Sequence, residues 1–337
     1  MKAVRYHSPG SPDVLSFEDA PVPEPRAGEV LVRVKACGVN RIDIWARSGR
    51  YNTALPHTLG TDVAGEVVVS NDRAVMPGSN VLVYPVLSDG TCAYCRRGAP
   101  NLCLSRGFVG VATDGGYAEF VKVPAKNLIP SEKVDPNVAA TLPVNYGTAW
   151  SGLASRARVG PDDTVLVWGA AGGLGNAAVQ VAKYLGAKVI AAVGDDAKSS
   201  FVKSTGADHV VNNRTEDLAE RVRSFTGGLG ASVVFDHVGG DTWGKSIECL
   251  ARGGRMVTLG LTSGAKSDVD VRRVYSDQLS IIGTYGQSKG DIEHVLELVA
   301  EGKLKPSIYK ELPLSSARDA HEIIESRGIQ GKILLLP

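Results

Sequence analysis

Three cysteines and one aspartate lie close enough along the chain to bind a metal ion. The segment from Asp89 to Cys103 has the spacing Asp-x2-Cys-x2-Cys-x7-Cys, with Cys92 and Cys95 in its middle. Zn²⁺ accepts thiolate and carboxylate ligands, and a site with four protein ligands is structural because no coordination position stays open. Few apolar residues surround these four, so an ion would supply the cross-link that a core cannot. We predict one structural zinc ion, bound by Asp89, Cys92, Cys95 and Cys103 in a lobe over residues 88–104.

An alternative for the same cysteines is a redox-active pair, Cys92 and Cys95, with an unrelated third thiol. Such pairs belong to thioredoxin-like βαβ surroundings, and the sequence around residue 92 has no such pattern. The metal site is therefore favoured.

A glycine-rich turn, GAAGGLG at 169–175, has the residue types of a dinucleotide-binding loop. Gly172 and Gly175 hold the second and third positions of G-x-G-x-x-G, and Ala170 stands at the first. The glycine at 172 lets the backbone approach a pyrophosphate, and the glycine at 175 lets the next helix pack on its strand. The helix N-terminus favours an anion. Because the turn follows a strand and opens an amphipathic helix, it predicts nucleotide binding rather than a purely structural turn.

The end of the next strand bears on which nicotinamide cofactor is bound. NAD enzymes place an acidic residue there for the ribose hydroxyls, whereas NADP enzymes leave room and add a cation. This strand ends at Gly194 without a carboxylate, and Lys198 follows it. We expect NADP(H) rather than NAD(H), although Asp195 and Asp196 favour NAD(H) and Lys198 has the alternative of being a solvated surface lysine.

The elements that must position these residues follow two patterns. Up to about residue 130 the chain predicts short strands, at 30–36, 63–69 and 118–123, and one helix at 42–48. From Asp135, a predicted helix cap, strands and helices alternate. The predicted strands are 164–168, 188–193, 209–211, 232–236, 255–259 and 279–283, and the helices between the first four end at Gly186, Gly206 and Gly227.

Apolar strands with little alternation are typical of a parallel sheet covered by helices on both faces. The second pattern therefore predicts a doubly wound α/β domain. A tail follows with a helix at 291–301, a strand at 307–309, a helix at 316–326 and a last strand at 332–336. The hydrophobic periodicity of this tail does not show which domain it packs against.

Composition restricts the partners. The chain has 337 residues, enough for two domains, with 37 Lys plus Arg against 36 Asp plus Glu and a net charge of +1. No charge block points to a nucleic acid or an anionic membrane. No apolar run reaches the ~18 residues of a membrane span, and Arg5 and His7 interrupt any secretory signal. We expect a cytoplasmic protein that binds a small molecule.

The chain resembles the medium-chain dehydrogenase/reductase superfamily of zinc alcohol dehydrogenases and quinone oxidoreductases. The resemblance covers essentially the full length and rests on CGVNRID followed by RSGRY, LGTDVAGEV, DGTCAYCRRGAPNLC, GAAGGLG and DHVGGDTW. It implies a mostly β GroES-like domain formed by 1–145 and 286–337, and a Rossmann domain at 146–285. It also implies a homodimer or homotetramer.

The departures from the alcohol dehydrogenases concern the catalytic zinc. In that branch the metal is held by a Cys, by the His of a GHE motif, and by a later Cys or acidic residue. Here Cys37 is present, but the GHE segment reads Gly-Thr-Asp, ending at Asp62, and the later position falls at Val144 or Asn145. A catalytic zinc normally needs three protein ligands. Cys37 and Asp62 supply only two unless His57 becomes a third, so the resemblance favours a site without catalytic zinc.

Without a Lewis acid, developing negative charge must be met by hydrogen-bond donors, which suits quinones and enones. The segment 38–51 resembles the zinc-free quinone oxidoreductases and implies that Asn40, Asp43 and Tyr51 face the substrate. Each has a structural alternative: Asn40 as a helix cap, Asp43 as a first-turn carboxylate and Tyr51 as a loop anchor. The predicted cofactor-binding residues are Ala171, Gly172, Gly173, Leu174, Gly194, Lys198 and Val238.

These observations predict an NAD(P)H-dependent oxidoreductase that transfers hydride to a quinone or an activated carbonyl or alkene. His237, after the fourth Rossmann strand, either assists proton transfer or is structural. Two further hypotheses stay open: an alcohol dehydrogenase with a degenerate catalytic zinc site, and a non-catalytic NADPH-binding sensor or scaffold.

Overall fold

The computed structural model describes all residues from Met1 to Pro337. The chain forms two compact units. The first unit comprises Met1–Val144, Ser288–Glu301 and Pro306–Pro337, and the second comprises Asn145–Gln287 and Gly302–Lys305. The sequence placed the corresponding boundaries after residues 145 and 285.

The strands are β1 (Lys2–Tyr6), β2 (Ser16–Asp19), β3 (Glu29–Gly38), β4 (His57–Thr58), β5 (Asp62–Ser70), β6 (Asn80–Val83), β7 (Val86–Leu87), β8 (Gly107–Phe108), β9 (Phe120–Pro124), β10 (Leu128–Pro130), β11 (Thr164–Val167), β12 (Lys188–Val193), β13 (His209–Asn212), β14 (Ala231–Asp236), β15 (Leu250–Thr258), β16 (Ser280–Gly283), β17 (Ile308–Pro313) and β18 (Lys332–Leu336). The helices are α1 (Arg41–Arg47), α2 (Ala93–Arg96), α3 (Pro136–Ala139), α4 (Thr148–Trp150), α5 (Gly173–Tyr184), α6 (Ser199–Ser204), α7 (Leu218–Phe225), α8 (Gly240–Cys249), α9 (Val271–Ser276), α10 (Lys289–Ala300) and α11 (Ala317–Glu325).

The second unit is built on a six-stranded parallel sheet in the order β13-β12-β11-β14-β15-β16. This is the strand order of a Rossmann fold. The strands β11, β12 and β14 are almost entirely buried, because the apolar runs that predicted them leave no polar face, whereas the edge strand β16 is largely exposed. The predicted left-handed helix ends are confirmed, with φ of +89° at Gly186, +114° at Gly206 and +62° at Gly227. The predicted fold class is confirmed.

The first unit is mostly β. Its largest sheet has the order β10-β6-β5-β3-β18-β17, with β9 also paired to β3. The tail joins this sheet, because β18 runs antiparallel to β3 with Leu334 opposite Gly38 and Leu335 opposite Cys37. This pairing carries the first residue of β18, Lys332, to the end of β3.

Helix caps follow the predicted chemistry in the first unit. Asp135 accepts hydrogen bonds from the backbone N–H groups of Asn137 and Val138, which begins α3 where the sequence predicted a helix. From Leu142 the backbone winds as π-helix through Gly147. No helix is long and apolar enough to span a bilayer.

Candidate functional site

Four metal-ligating side chains converge in the lobe between β7 and β8. One ligand atom each from Asp89, Cys92, Cys95 and Cys103 lies within 4.8 Å of the others, and the sulfurs of Cys92 and Cys95 are 3.6 Å apart. Ligands at zinc bond lengths on a tetrahedron are separated by roughly 3.3–3.8 Å. The four predicted residues therefore come together with the donor types and nearly the spacing that Zn²⁺ requires.

Backbone N–H groups of the lobe donate hydrogen bonds to these candidate ligand atoms. Asp89 Oδ1 accepts hydrogen bonds from the N–H groups of Thr91 (2.7 Å) and Cys92 (2.9 Å), which hold the pKa of this carboxyl well below its usual range. The N–H groups of Asp89 and Ser105 each lie 3.4 Å from Cys103 Sγ. A hydrogen bond from the Cys95 backbone lowers the pKa of the Cys92 thiol to about 7. Such bonds orient ligands and favour the thiolate.

The glycine turn in the second unit has the geometry of a phosphate-binding loop. Gly172 caps α5, and its N–H donates to the carbonyl of Gly169 at 3.1 Å. Gly169 supplies the positive φ of the turn, +55°, one residue before the motif's first position. Ala170 can therefore stand at that first position without strain. A Cβ on Gly175 would collide with the carbonyl oxygen of Gly169, which explains the glycine there. Of the predicted residues, Ala171 is buried and 172–174 are half-buried.

Arg214 is the cation in contact with Gly194 at the end of β12. A Cβ built on Gly194 would lie 3.2 Å from Arg214 Nε and 3.6 Å from its Cζ. The side chain of Asp195 is turned to its own loop, where it accepts from the N–H of Ala197 at 3.0 Å. Lys198, the residue that the sequence singled out, is half-buried at the end of that loop. The structure thus adds Arg214 to the candidate ribose-phosphate site.

A buried carboxylate shapes the loop that holds Val238. Asp236 accepts hydrogen bonds from the backbone of Val238 (2.9 Å) and Gly239 (3.1 Å), and from the hydroxyls of Thr242 and Ser246 (2.7 Å each). The Ser246 hydroxyl in turn accepts from Trp168 Nε1 at 2.7 Å. This network ties the loops that follow β11 and β14 to one another.

His237 has a structural contact in the same loop. Its Nε2 lies 2.8 Å from the carbonyl oxygen of Trp168. Because a carbonyl only accepts, Nε2 carries the proton. Both roles predicted for His237, proton transfer and a structural role, stay predictions, and its Nε2 binds the residue that precedes the glycine turn.

A second polar cluster lies in the first unit, at the end of β3. Lys332 Nζ is 2.6 Å from Asp62 Oδ2 and 2.5 Å from Asn40 Oδ1. The Asn40 amide donates to Asp62 Oδ2 at 2.9 Å and to the carbonyl of Gly38 at 3.2 Å. Asp62 Oδ1 accepts from the N–H of Val144 at 2.9 Å. Every oxygen of Asp62 therefore has a protein partner.

Asp43 is fully buried below this cluster and fixes the start of α1. It accepts from the backbone N–H of Asn40 at 2.8 Å and of Gly60 at 3.3 Å, and from the Thr61 hydroxyl at 3.2 Å. Burial raises the pKa of Asp43 to about 7, against the hydrogen bond from Asn40. These contacts match the structural alternative given for Asp43, a carboxylate in the first turn of the helix. Tyr51 is half-buried after α1, and its substrate contact stays a prediction.

A chain of side chains leads away from Asp43. Arg47 lies 3.1 Å from His321 Nδ1, His321 Nε2 lies 3.0 Å from the Tyr117 hydroxyl, and that hydroxyl lies 3.4 Å from Asp43 Oδ2. An arginine only donates, so His321 accepts at Nδ1 and carries its proton on Nε2. Burial and the Arg47 charge lower the pKa of His321 to about 3. The donors of this hydrogen-bonded series, Arg47, His321 Nε2–H and the Tyr117 hydroxyl, are therefore all directed towards Asp43.

The other candidate metal ligands have different environments. Cys37 is fully buried, and burial raises the pKa of its thiol well above the usual value. His57 donates from Nε2 to the carbonyl of Gly110 at 3.1 Å, and its Nδ1 lies 3.5 Å from Asp114. Both nitrogens of His57 therefore face groups other than Asp62.

Sequence reasoning missed Lys332, Arg214, Asp236 and His321. Asp236 was inside a quoted motif, so its placement before a glycine pair was a usable signal. Arg214 follows the strand beside the one that ends at Gly194, and neighbouring parallel strands end at the same edge. Lys332 and His321 lie in the tail, whose packing no local pattern indicates.

A parallel sheet in this strand order, with a glycine turn after its first strand, binds dinucleotides, and with the β-rich first unit it defines a nicotinamide-dependent dehydrogenase or reductase. The family model for the alcohol dehydrogenase GroES-like domain matches residues 26–133, and the model for zinc-binding dehydrogenases matches residues 173–301.

Three relatives have this architecture over their whole length. The NAD-dependent alcohol dehydrogenase of Sulfolobus acidocaldarius is 34% identical over 99% of both chains. A crystal structure of an NAD-dependent alcohol dehydrogenase is 39% identical over 100% of both chains, with a TM-score of 0.96. Escherichia coli quinone oxidoreductase in complex with NADPH is 31% identical over 100% of both chains, with a TM-score of 0.86. The chain belongs to the medium-chain dehydrogenase/reductase family. It is an NAD(P)-dependent oxidoreductase that acts on a small-molecule substrate.

Proposed function

We propose that this enzyme transfers hydride from NADPH to a quinone, or to an enone-type double bond or carbonyl, without a catalytic metal. The observation that carries the proposal is the Asp62 carboxylate, whose charge is matched by Lys332 and whose two oxygens are both hydrogen-bonded inside the protein. With Asp62 engaged, Cys37 is the one remaining member of the predicted ligand set, and one ligand does not hold a catalytic zinc.

The residues of this chain would hold the cofactor and meet the charge on the substrate. Bound NADPH would supply the hydride. We assign its pyrophosphate to the N-terminus of α5 and its nicotinamide side to the loop at Val238. Both amide hydrogens of Asn40 are used within the protein, so any ligand contact of Asn40 is made by its oxygen as an acceptor. The donor to the substrate oxygen is therefore assigned to Tyr51, and Asp43 to positioning Asn40.

The preference for NADPH over NADH is assigned to the pair of cations near Gly194. Arg214 contacts that glycine, and Lys198 ends the following turn. Asp195, the carboxylate that would favour NAD, is hydrogen-bonded to its own loop. The similarity to a quinone oxidoreductase that binds NADPH agrees with this assignment.

The proposal also includes a structural zinc ion and a homo-oligomeric assembly. We assign one structural zinc to Asp89, Cys92, Cys95 and Cys103, supported by the convergence of their ligand atoms. We also assign a homo-oligomer built through β16, which is the edge of its sheet. Unpaired edge strands are natural pairing surfaces.

The test is to measure metal content per chain together with NADPH oxidation by 1,4-benzoquinone and 2-cyclohexenone, and NADP⁺ reduction by alcohols. We expect one zinc per chain and quinone or enone reduction. Tyr51→Phe should lower kcat about 100-fold, the usual loss for one donor to a developing oxyanion, whereas Tyr309→Phe on β17 should leave it unchanged. Two metal ions per chain with alcohol-dependent cofactor reduction would instead establish an alcohol dehydrogenase.

A further inference from the structure

The last strand delivers a buried lysine to the end of β3. Lys332 opens β18, and its side chain is 3% exposed. Gly38 leaves space for it: a Cβ on Gly38 would lie 2.4 Å from the Ala140 carbonyl oxygen and 2.5 Å from Lys332 Cε. Long cationic side chains are almost never buried unless they are paired. The glycine and the lysine therefore form one arrangement, assembled from residues far apart in the chain.

The ammonium fixes the orientation of the Asn40 amide. A lysine only donates, so the atom of Asn40 at 2.5 Å must be the oxygen. The NH₂ group then faces Asp62 and the Gly38 carbonyl, which both accept. The flipped amide would place its hydrogens against the ammonium and its oxygen against a carboxylate. One rotamer of Asn40 is therefore strongly preferred.

The ammonium also supplies the positive charge of this site. Asp62 is fully buried, and an unpaired buried carboxylate is very costly. Lys332 lies 2.6 Å from it. A buried ion pair of this kind is often no more stable than a pair of well-packed apolar residues, so its stabilising effect alone does not explain its presence.

We propose that Lys332 is a positioning residue, which holds Asn40 and Asp62 in the arrangement needed for turnover. This rests on the proposed function, because Asn40 is assigned to the substrate side of a metal-free site. Lys332 acts through Asn40 and needs no contact with the substrate.

The first experiment compares Lys332→Met with Lys310→Met. Lys310 is an exposed lysine on the adjoining strand β17, so it controls for loss of one positive charge. We expect Lys332→Met to lower kcat about 100-fold with the KM for NADPH changed less than twofold, because small displacements of a positioned group cost this much. We expect Lys310→Met to leave both constants unchanged. An unchanged kcat in Lys332→Met would overturn the proposal.

A double variant that removes both charges distinguishes a positioning role of Lys332 from a role in folding stability. Lys332→Met alone leaves Asp62 without its counter-charge, so its thermal midpoint should fall. The double variant Asp62→Asn/Lys332→Met removes both charges and should regain most of the midpoint, while kcat stays low because Asn40 is no longer held. Recovery of kcat together with the midpoint would show that the ion pair is only structural.

A double-mutant cycle checks the route through Asn40. If Lys332 acts by holding that amide, Lys332→Met in an Asn40→Ala background should lower kcat less than twofold further. Independent, multiplying losses would contradict this route. A wild-type enzyme with two metal ions and alcohol oxidation would overturn the proposed function instead. The two failures are therefore distinguishable.

Discussion

Two basic side chains of the candidate site, Lys332 and Arg214, differ in whether their charge is neutralised within the protein. Lys332 is buried and paired, so its charge is used inside the protein. Arg214 is exposed beside Gly194 and forms no ion pair. Its charge is available to a ligand phosphate. Arginine also presents a planar set of donors that matches phosphate oxygens.

Replacement of Arg214 should change cofactor preference. In Arg214→Leu we expect the Kd for NADPH to rise about 10- to 100-fold, because a charge-assisted hydrogen bond is worth about 1.5–3 kcal/mol. The Kd for NADH should change less than twofold, since NADH lacks the 2′-phosphate. Cofactor fluorescence titration measures both constants.

Arg252→Leu is the matched control for Arg214→Leu. Arg252 is an exposed arginine of the same unit that pairs with Asp277, and its loss should leave both affinities unchanged. Equal weakening of NADPH and NADH in Arg214→Leu would show that the arginine does not read the phosphate.

His321 should stay neutral where an ordinary histidine is charged. Its lowered pKa, about 3, and its acceptor role towards Arg47 predict a neutral ring with the proton on Nε2 from pH 8 down to pH 5. NMR of ¹⁵N-histidine-labelled protein measures this, with the signal assigned by its loss in His321→Gln. A signal that titrates near pH 6.5 would contradict it.

The sign of the His321 effect on stability follows from linkage. The unfolded chain gains a proton on this ring below about pH 6.5, and the folded protein does not until about pH 3. Stability contributed by the neutral ring is therefore lost as pH falls through that window. The thermal midpoint of His321→Gln should fall less between pH 7 and pH 5 than that of the wild type.

At the scale of elements, we expect the lobe over residues 88–104 to depend on its proposed zinc ion more than on packing. Its helix α2 has four residues, none of them buried, and Leu104 is 76% exposed. Such a segment has little apolar surface to bury, so metal binding would supply its folding energy.

Removal of one thiolate should empty the lobe. In Cys95→Ser we expect zinc to fall from one per chain to near zero, with a lower thermal midpoint. Cys249→Ala removes a buried thiol of the second unit and should keep the zinc. Elemental analysis with calorimetry measures both. Retained zinc in Cys95→Ser, or a disulfide between Cys92 and Cys95 in the wild type, would favour the redox alternative.

Elements with local signals could be predicted, and those that depend on distant pairing could not. Most strands of the second unit were predicted because they are largely apolar runs with a glycine near one end. The convergence of the four lobe residues could be predicted because they are close in sequence. Lys332 was not, because its partner Asp62 is 270 residues away, and only the pairing of β18 with β3 joins them. Asn40 was singled out from the sequence and its substrate contact stays a prediction, but the use of both its amide hydrogens within the protein could not be predicted without that pairing.

At the scale of the whole molecule, one edge of the Rossmann sheet is unpaired in the single chain. The strand β16 is paired only with β15. Ile281 on this strand and Val271 and Tyr275 on the preceding helix are exposed. A bare apolar edge in a free chain favours aggregation. Pairing of two β16 strands about a two-fold axis would cover it on both copies.

A charge on this edge should therefore separate the copies. We expect the wild type to elute as an assembly of at least two 35.4 kDa chains, and Ile281→Lys to halve that mass, because two facing lysines repel and desolvate poorly. Leu229→Lys adds the same charge at an exposed leucine between α7 and β14 and should leave the assembly intact. Light scattering after size exclusion measures the masses. A monomeric wild type, or an Ile281→Lys assembly of undiminished mass, would exclude β16 as the interface. Unchanged NADPH binding in a monomeric Ile281→Lys variant would show that the cofactor site is complete within one chain.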